Sequence, residues 1–372
     1  MESIKRIREQ FPITKNMVFM NHAAMSPHPK PVLEAMERHL EEFSTSSAIS
    51  DDLNEGKKLF AKLIGAESAE IALVENTSTG LNIIANMLEY PSGSNVVTTD
   101  LEYPSVVYPW LRKKLGVKIR YVKNVDGKIL LEDVEKAVDD KTTVLAISHV
   151  EYMNGFRNDL SSLADIAHEH GAYFAVDAIQ SAGAIQTDVK RDHVDFLTAG
   201  CYKWLLGPAG AGYLYVRKEL VEKFEPPMVG WASVKPEVFE TVDFWDIWSL
   251  KLSETASRFE VGCPSFMSYA GAKAALKLLL NFGMANVEKR ILSLTDHLIE
   301  AVKDRGYKLQ TPEDPECRSG IVNFLVDNAE ETVKKLRAKR IIVSARAHGI
   351  RVSPHFYNTK EEIDRLVAEL KK

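Results

Sequence analysis

Three stretches of this 372-residue chain carry side chains suited to chemistry. Lys203 lies in Thr198-Ala-Gly-Cys-Tyr-Lys-Trp-Leu-Leu-Gly-Pro, with small residues before it and Trp204, Leu205 and Leu206 after it. An ammonium among apolar neighbours is disfavoured, which leaves the free amine available to attack a carbonyl. Asp177 ends the apolar run Tyr173-Phe-Ala-Val-Asp. A carboxylate leaving a buried strand needs a cation or several donors to stay ionised. Asn76-Thr-Ser-Thr-Gly stands between Ile71-Ala-Leu-Val and the helical Leu81-Asn-Ile-Ile-Ala-Asn-Met-Leu. The free N–H groups and hydroxyls of a helix start at that point suit a phosphate. Taken singly, each also has an ordinary structural reading: a loop-capping aspartate, a snorkelling surface lysine, a plain helix cap.

The elements that must position these residues follow from periodicity. Short apolar runs at 71–74, 95–98, 117–122, 144–150, 172–177, 196–200 and 212–216 read as strands, and Leu160 to His170 reads as an amphipathic helix. This alternation predicts an α/β fold with crossover connections and a mostly parallel sheet covered on both sides. Helices are expected at 31–43 and at 56–64, the latter stopping at Gly65. After Ser265 the pattern changes to long helices, then Gly320-Ile-Val-Asn-Phe-Leu-Val, a helix near 330–339, a strand around Ile341 and a closing helix from Glu361 to Lys371. The expected division is an N-terminal segment (1–20), a large domain (21–264) and a small α+β domain (265–372). The C-terminal edge of such a sheet is where open α/β folds bind ligands, and Asp177 ends a strand there.

Composition excludes several classes. Apolar residues make up 45% and charged residues 27%, with a net charge of −5 and no long basic run, so a dedicated nucleic-acid binder is not expected. No stretch reaches the ~18 apolar residues of a membrane span. Cys201, Cys263 and Cys317 are too few and too scattered for a disulfide framework or zinc ribbon, and they fit a reducing, cytoplasmic setting. His168 and His170, two apart on a helix, make a poor metal pair. A phosphate cradle, a carboxylate for a ring cation and a Schiff-base lysine, in that chain order, together match what pyridoxal 5'-phosphate requires.

Val176-Asp-Ala-Ile-Gln-Ser-Ala-Gly, Gly200-Cys-Tyr-Lys-Trp-Leu-Leu-Gly-Pro-Ala-Gly-Ala-Gly and Arg258-Phe-Glu-Val-Gly-Cys-Pro resemble the class V aminotransferases. These are fold-type I pyridoxal-phosphate enzymes that include cysteine desulfurases, kynureninase and isopenicillin N epimerase-like proteins. The likeness runs from Asn21-His-Ala-Ala to Phe356-Tyr-Asn-Thr-Lys-Glu-Glu-Ile-Asp. It implies a seven-stranded sheet and a homodimer with active sites at the subunit interface. It also implies roles. Lys203 would hold the cofactor and move the α-proton, Asp177 would pair with the ring nitrogen, and Gln180 would sit near the phenolic oxygen. Thr77, Ser78 and Tyr202 would bind the phosphate, and Tyr103 would stack on the ring. Gly262 and Cys263 would reach the phosphate of the neighbouring subunit, with a backbone contact only, because Cys263 replaces the family's usual threonine. Arg351 would grip the substrate carboxylate, and Asn21 and His22 would line the mouth. Arg346 could assist Arg351 or be a surface residue. Either Tyr152 or Asn154 would present a polar group to the cofactor.

One departure bears on the reaction. Desulfurases carry a nucleophilic cysteine on a loop shortly before the substrate arginine, whereas only Ala-His-Gly-Ile separates Arg346 from Arg351 here. Transamination of an α-amino acid is therefore the expected reaction, ahead of a C–S lyase of the cysteine desulfhydrase kind or an epimerase. A non-catalytic phosphate-binding module is the remaining alternative.

Overall fold

In the computed structural model, residues 4–46, 53–235 and 248–370 are described. The expected helix end at Lys371 lies outside them. The central sheet contains β1 (Ile71–Val74), β2 (Asn95–Thr99), β3 (Lys118–Val122), β4 (Thr142–Ser148), β5 (Tyr173–Asp177), β6 (Phe196–Gly200) and β7 (Gly212–Val216). Their spatial order is β1-β7-β6-β5-β4-β2-β3. Only β7 runs against its neighbours, pairing antiparallel with both β1 and β6. The other six strands therefore end at one edge, and the predicted mostly parallel sheet is present.

Side-chain alternation explains why these strands read as unbroken apolar runs. Leu73, Leu145, Ile147, Val176 and Leu197 face one core, while Ala72, Val74, Val144, Ala146, Ala175 and Phe196 face another. Both faces of the central strands are buried, so apolar residues dominate both faces. The first core is closed by α1 (Lys30–Thr45), α2 (Leu53–Ile64) and α5 (Phe266–Phe282), the second by α3 (Thr77–Met87); α4 (Leu160–Glu169) packs beside β5 in the first. Ala272, Ala275, Leu276 and Leu279 of α5 belong to that first core.

A third core lies under the antiparallel strands β8 (Val322–Leu325), β9 (Ser344–Arg346) and β10 (Gly349–Val352), with β10 in the middle. It is filled from α6 (Met284–Asp304) by Leu294 and Leu298, and from α8 (Lys360–Glu369) by Ile363 and Leu366; α7 (Ala329–Ala338) adds Leu336. Val18 and Met20 join it, because Val18–Phe19 pairs in parallel with Ile341–Ile342. No helix among the described residues is long and apolar enough to cross a membrane.

Two glycines set how closely the site's elements approach. A Cβ on Gly80, in the first turns of α3, would lie 2.2 Å from Thr198 Oγ1, so that helix start rests directly on β6. Gly183 has φ +93°, and a Cβ there would lie 2.3 Å from the carbonyl oxygen of Trp204. Gly183→Ala combines left-handed backbone strain with a clash against backbone, and it should cost about 2 kcal/mol or more. Urea denaturation of the cofactor-free protein measures this, and an unchanged midpoint would contradict the packing described.

Candidate active site

The side chains singled out from the sequence converge on the edge where the parallel strands end. Register places Ser148 and Asp177, the last residues of β4 and β5, side by side, with Thr198 of β6 next to Asp177. Lys203 follows β6 after a tight turn, in which the Gly207 N–H donates to the Cys201 carbonyl and the Leu206 N–H donates to the Lys203 carbonyl. Ser26 fastens the turn from the N-terminal side. Its Oγ donates to the Lys203 carbonyl at 2.6 Å, and its N–H donates to the Tyr202 carbonyl at 2.9 Å.

Burial sets the electrostatics. It lowers the Lys203 pKa from 10.5 to about 8; the Asp177 carboxylate opposes the shift, while Arg351 and Arg346 add to it. Burial raises the Asp177 pKa from 3.8 to about 6, against an N–H from Ile179 at 2.8 Å and the attraction of Lys203. Two further acids sit nearby. Glu102 accepts from the Ser148 N–H and hydroxyl, both at 2.6 Å, and burial holds it well above the usual carboxylate range. Glu151, fully buried, is driven up by burial and then by the charge of Glu102. Asp177 is the acid of the three with a nearby ammonium and the smallest upward shift, so it ionises first.

The start of α3 is equally defined. Asn76 caps α3 by accepting from the Thr79 N–H at 3.0 Å. Thr77 Oγ1 accepts the Gly200 N–H at 2.9 Å and keeps its own hydroxyl proton for another acceptor. Ser78 Oγ bonds to Ser105 Oγ at 2.7 Å in a more exposed position. The rings of Tyr103 and Tyr202 each lie 5.8 Å from Lys203 Nζ. Tyr152 packs edge-on against Tyr103, with centroids 5.2 Å apart. The Asn154 side chain bonds to the Gly127 carbonyl and the Phe156 N–H.

Arg351 is buried in β10; one Nη donates to the Tyr152 carbonyl at 2.7 Å, and its Nε has no partner. Asn21 forms a bridge with Ser353, and its buried Oδ1 also lacks a partner. Such orphaned buried groups are costly unless something binds to them. One expected residue, His22, has no polar atom left for a ligand. His22 lies below the mouth, fully buried, with its nitrogens on the Ser353 carbonyl and the Tyr357 hydroxyl and its pKa pushed well below 6.5 by burial. It has no ring nitrogen left for a substrate. Gln180 donates to the Ala23 carbonyl and accepts from the Trp204 indole, keeping one amide hydrogen. Gly262 and Cys263 lie on the stretch before α5, and Cys263 is exposed.

Sequence reading missed His355, whose Nε2–H donates to the Trp204 carbonyl at 3.0 Å while its Nδ1 accepts the Phe356 N–H. Burial lowers its pKa to about 4, so it is a neutral brace for the residue after Lys203. Glu102 and Ser148 were missed as well; Glu102 beside the singled-out Tyr103 was the available signal. The interval before Arg351 is a two-residue hairpin, with Arg346 opposite Gly349 and with Ala347 and His348 at φ 49° and 61°. A mirror-image turn of this length leaves no room for a cysteine-bearing loop. Cys201 is a fully buried core residue whose thiol is pushed up by burial. The donor set at the sheet edge therefore fits pyridoxal phosphate: a neutralisable lysine, a buried carboxylate, a hydroxyl-bearing helix start and a flanking tyrosine.

Comparison with known proteins agrees with that geometry. The model of the family described as aminotransferase class-V matches residues 18–366. The uncharacterized aminotransferase YcbU of Bacillus subtilis (strain 168) is 30% identical over 370 residues, spanning 98% of this chain and 97% of that protein. A probable cysteine desulfurase of Pyrococcus abyssi is 30% identical over 393 residues, spanning 98% and 96%. The apo structure of cysteine desulfurase from Thermococcus onnurineus NA1 superposes with a TM-score of 0.88 at 29% identity, covering 98% of this chain and 96% of that one. A C-DES mutant with glycine covalently linked to its PLP cofactor shares the fold, with a TM-score of 0.87 at 24% identity, covering 97% of this chain and 98% of that one. Family, architecture and site chemistry coincide: the chain belongs to the class V aminotransferases, enzymes of fold type I that use pyridoxal 5'-phosphate.

Proposed function

We propose that the chain is an amino-acid aminotransferase working at Lys203. The carrying observation is an amine with depressed proton affinity between Asp177 and Arg351, with a two-residue turn where a nucleophilic cysteine would otherwise stand. When bound, pyridoxal phosphate supplies an electrophilic aldehyde carbon and an electron-withdrawing ring. Lys203 Nζ would hold it and then take and return the proton of the substrate's α-carbon. Asp177, ionised above about pH 6, would hold the proton of the ring nitrogen. Thr77 would donate its free hydroxyl proton to the phosphate, with Ser78 and Tyr202 alongside, and Tyr103 would cover the ring. Gln180 has one amide hydrogen for the phenolic oxygen. The planar fork of Arg351 suits the substrate carboxylate, with Asn21 beside it.

The same reading takes the division into residues 1–20, 21–264 and 265–372, a cytoplasmic setting and a homodimer. Met228, Val229, Trp231 and Val261 are all substantially exposed, and Trp231 lies against Gly262. An apolar surface of this kind suits a subunit face that brings Gly262 and Cys263 to the neighbouring phosphate. A C–S lyase is the second reading, supported by the desulfurase names of several relatives.

The deciding experiment incubates the holoenzyme with amino acids, with and without 2-oxo acids, and measures amino transfer, sulfide and D-isomer separately. Amino transfer that requires a 2-oxo acid is expected; sulfide from cysteine without an acceptor would establish the lyase instead. Asp177→Asn should retain cofactor but lose roughly 100-fold or more in turnover, the scale of a lost acid–base function, and unchanged turnover would refute its role.

Lys203 also makes a prediction about stability. Between pH 8 and 10.5 the unfolded chain keeps a proton that folded Lys203 has shed, so stability from this group rises with pH across that interval. Below pH 8 the folded chain carries a poorly solvated ammonium. Cofactor-free Lys203→Met should therefore be more stable than the wild type at pH 7, with the gain shrinking towards pH 10.5. Urea titrations at the two pH values test this, and a loss of stability at pH 7 would contradict it.

A further inference from the structure

Arg346 and Arg351 stand on adjacent antiparallel strands. Register pairs Ser344 with Arg351 and Arg346 with Gly349, which puts both arginines on the same face of the small sheet. Asn323, opposite Arg351 on β8, shares that face. Its amide donates to the carbonyls of Met153 and Arg346, while Arg351 donates to the Tyr152 carbonyl. The face carrying the two guanidinium groups therefore looks onto the Tyr152–Met153 segment at the active site.

Neither arginine has a carboxylate partner among the described residues. Arg346 hydrogen-bonds to the carbonyl of Ala345, and the buried Nε of Arg351 has no partner. The Arg346 charge disfavours protonation of Arg351, and both guanidinium groups disfavour that of Lys203. A buried guanidinium with a second one on the same sheet face is left uncompensated unless an anion enters with the ligand. The start of α3 suits the cofactor phosphate, and a substrate α-carboxylate brings one negative charge to two guanidinium groups.

Resting on the aminotransferase reading above, we propose that Arg346 receives a second anionic group. The substrate class is then an amino acid with a carboxylate-bearing side chain, or the matching 2-oxo diacid as amino acceptor. Arg351 takes the buried α-carboxylate. Arg346, exposed at the hairpin end, takes the distal carboxylate at the mouth.

The test compares wild-type and Arg346→Gln holoenzymes with L-aspartate, L-glutamate and L-alanine. Wild type should prefer a diacid, and the ratio of kcat/KM for diacid over alanine should fall about 10- to 100-fold in the variant, the scale of a lost charged hydrogen-bond pair. Succinate and glutarate should also raise the Tm of the wild type more than propionate does, and lose that advantage in the variant. An equal fall for all three amino acids would overturn the proposal by placing Arg346 on the α-carboxylate or in the scaffold. Holoenzyme absorbance separates this failure from the larger one. A spectral change with alanine but with neither diacid overturns the second-anion site alone, whereas no change with any amino acid overturns the aminotransferase reading as well.

Discussion

A lysine amine and a carboxylate sharing a dry sheet edge is the constraint on which the rest of this structure depends. Burial pushes both towards their neutral forms, and their mutual attraction pulls them back. That balance holds only if the turn bearing Lys203 cannot relax into solvent. Ser26 grips its carbonyl, His355 grips the next one, and Gly183 lets a neighbouring loop lie against the same peptide. The three clamps come from distant parts of the chain. The N-terminal segment, the loop after β5 and the loop after β10 all meet at one backbone turn.

In the proposed reading, the hairpin before Arg351 separates this chain from persulfide chemistry by shape rather than by composition. A nucleophilic thiol has to travel between substrate and acceptor, and a two-residue turn has no length for that. Cys201, although close to Lys203 in sequence, lies in the apolar core where a thiolate is strongly disfavoured. What the hairpin does present is charge. Ala347 and His348 adopt a backbone conformation that glycine or asparagine enters more easily, and the turn carries Arg346 to the mouth of the site.

Much of the fold was legible because both faces of the sheet are buried. β1, β6 and β7 read directly as apolar runs with the observed bounds, and α3 read from its cap and periodicity. The reversed direction of β7 was not legible, since periodicity carries no strand sense. β9 and β10 were also missed: seven short residues around a turn without glycine or asparagine at its centre give no hairpin signal. At the site, Lys203, Asp177 and Thr77 announced themselves by chemistry out of place in an apolar setting. His22 read as a mouth residue because it follows Asn21, yet only its tilted and edge-on packing against Trp204, His355 and Tyr357 shows that it is buried. His355 and Glu102 act through partners far away in sequence, and no local pattern reveals such pairs.

The central claim is that one amine, that of Lys203, is prepared for covalent union with an aldehyde cofactor. Borohydride reduction of the protein after incubation with stoichiometric pyridoxal phosphate, followed by peptide mass mapping, measures this directly. The account predicts a single modification on the peptide carrying Lys203. Label spread over surface lysines, or none on that peptide, would contradict it.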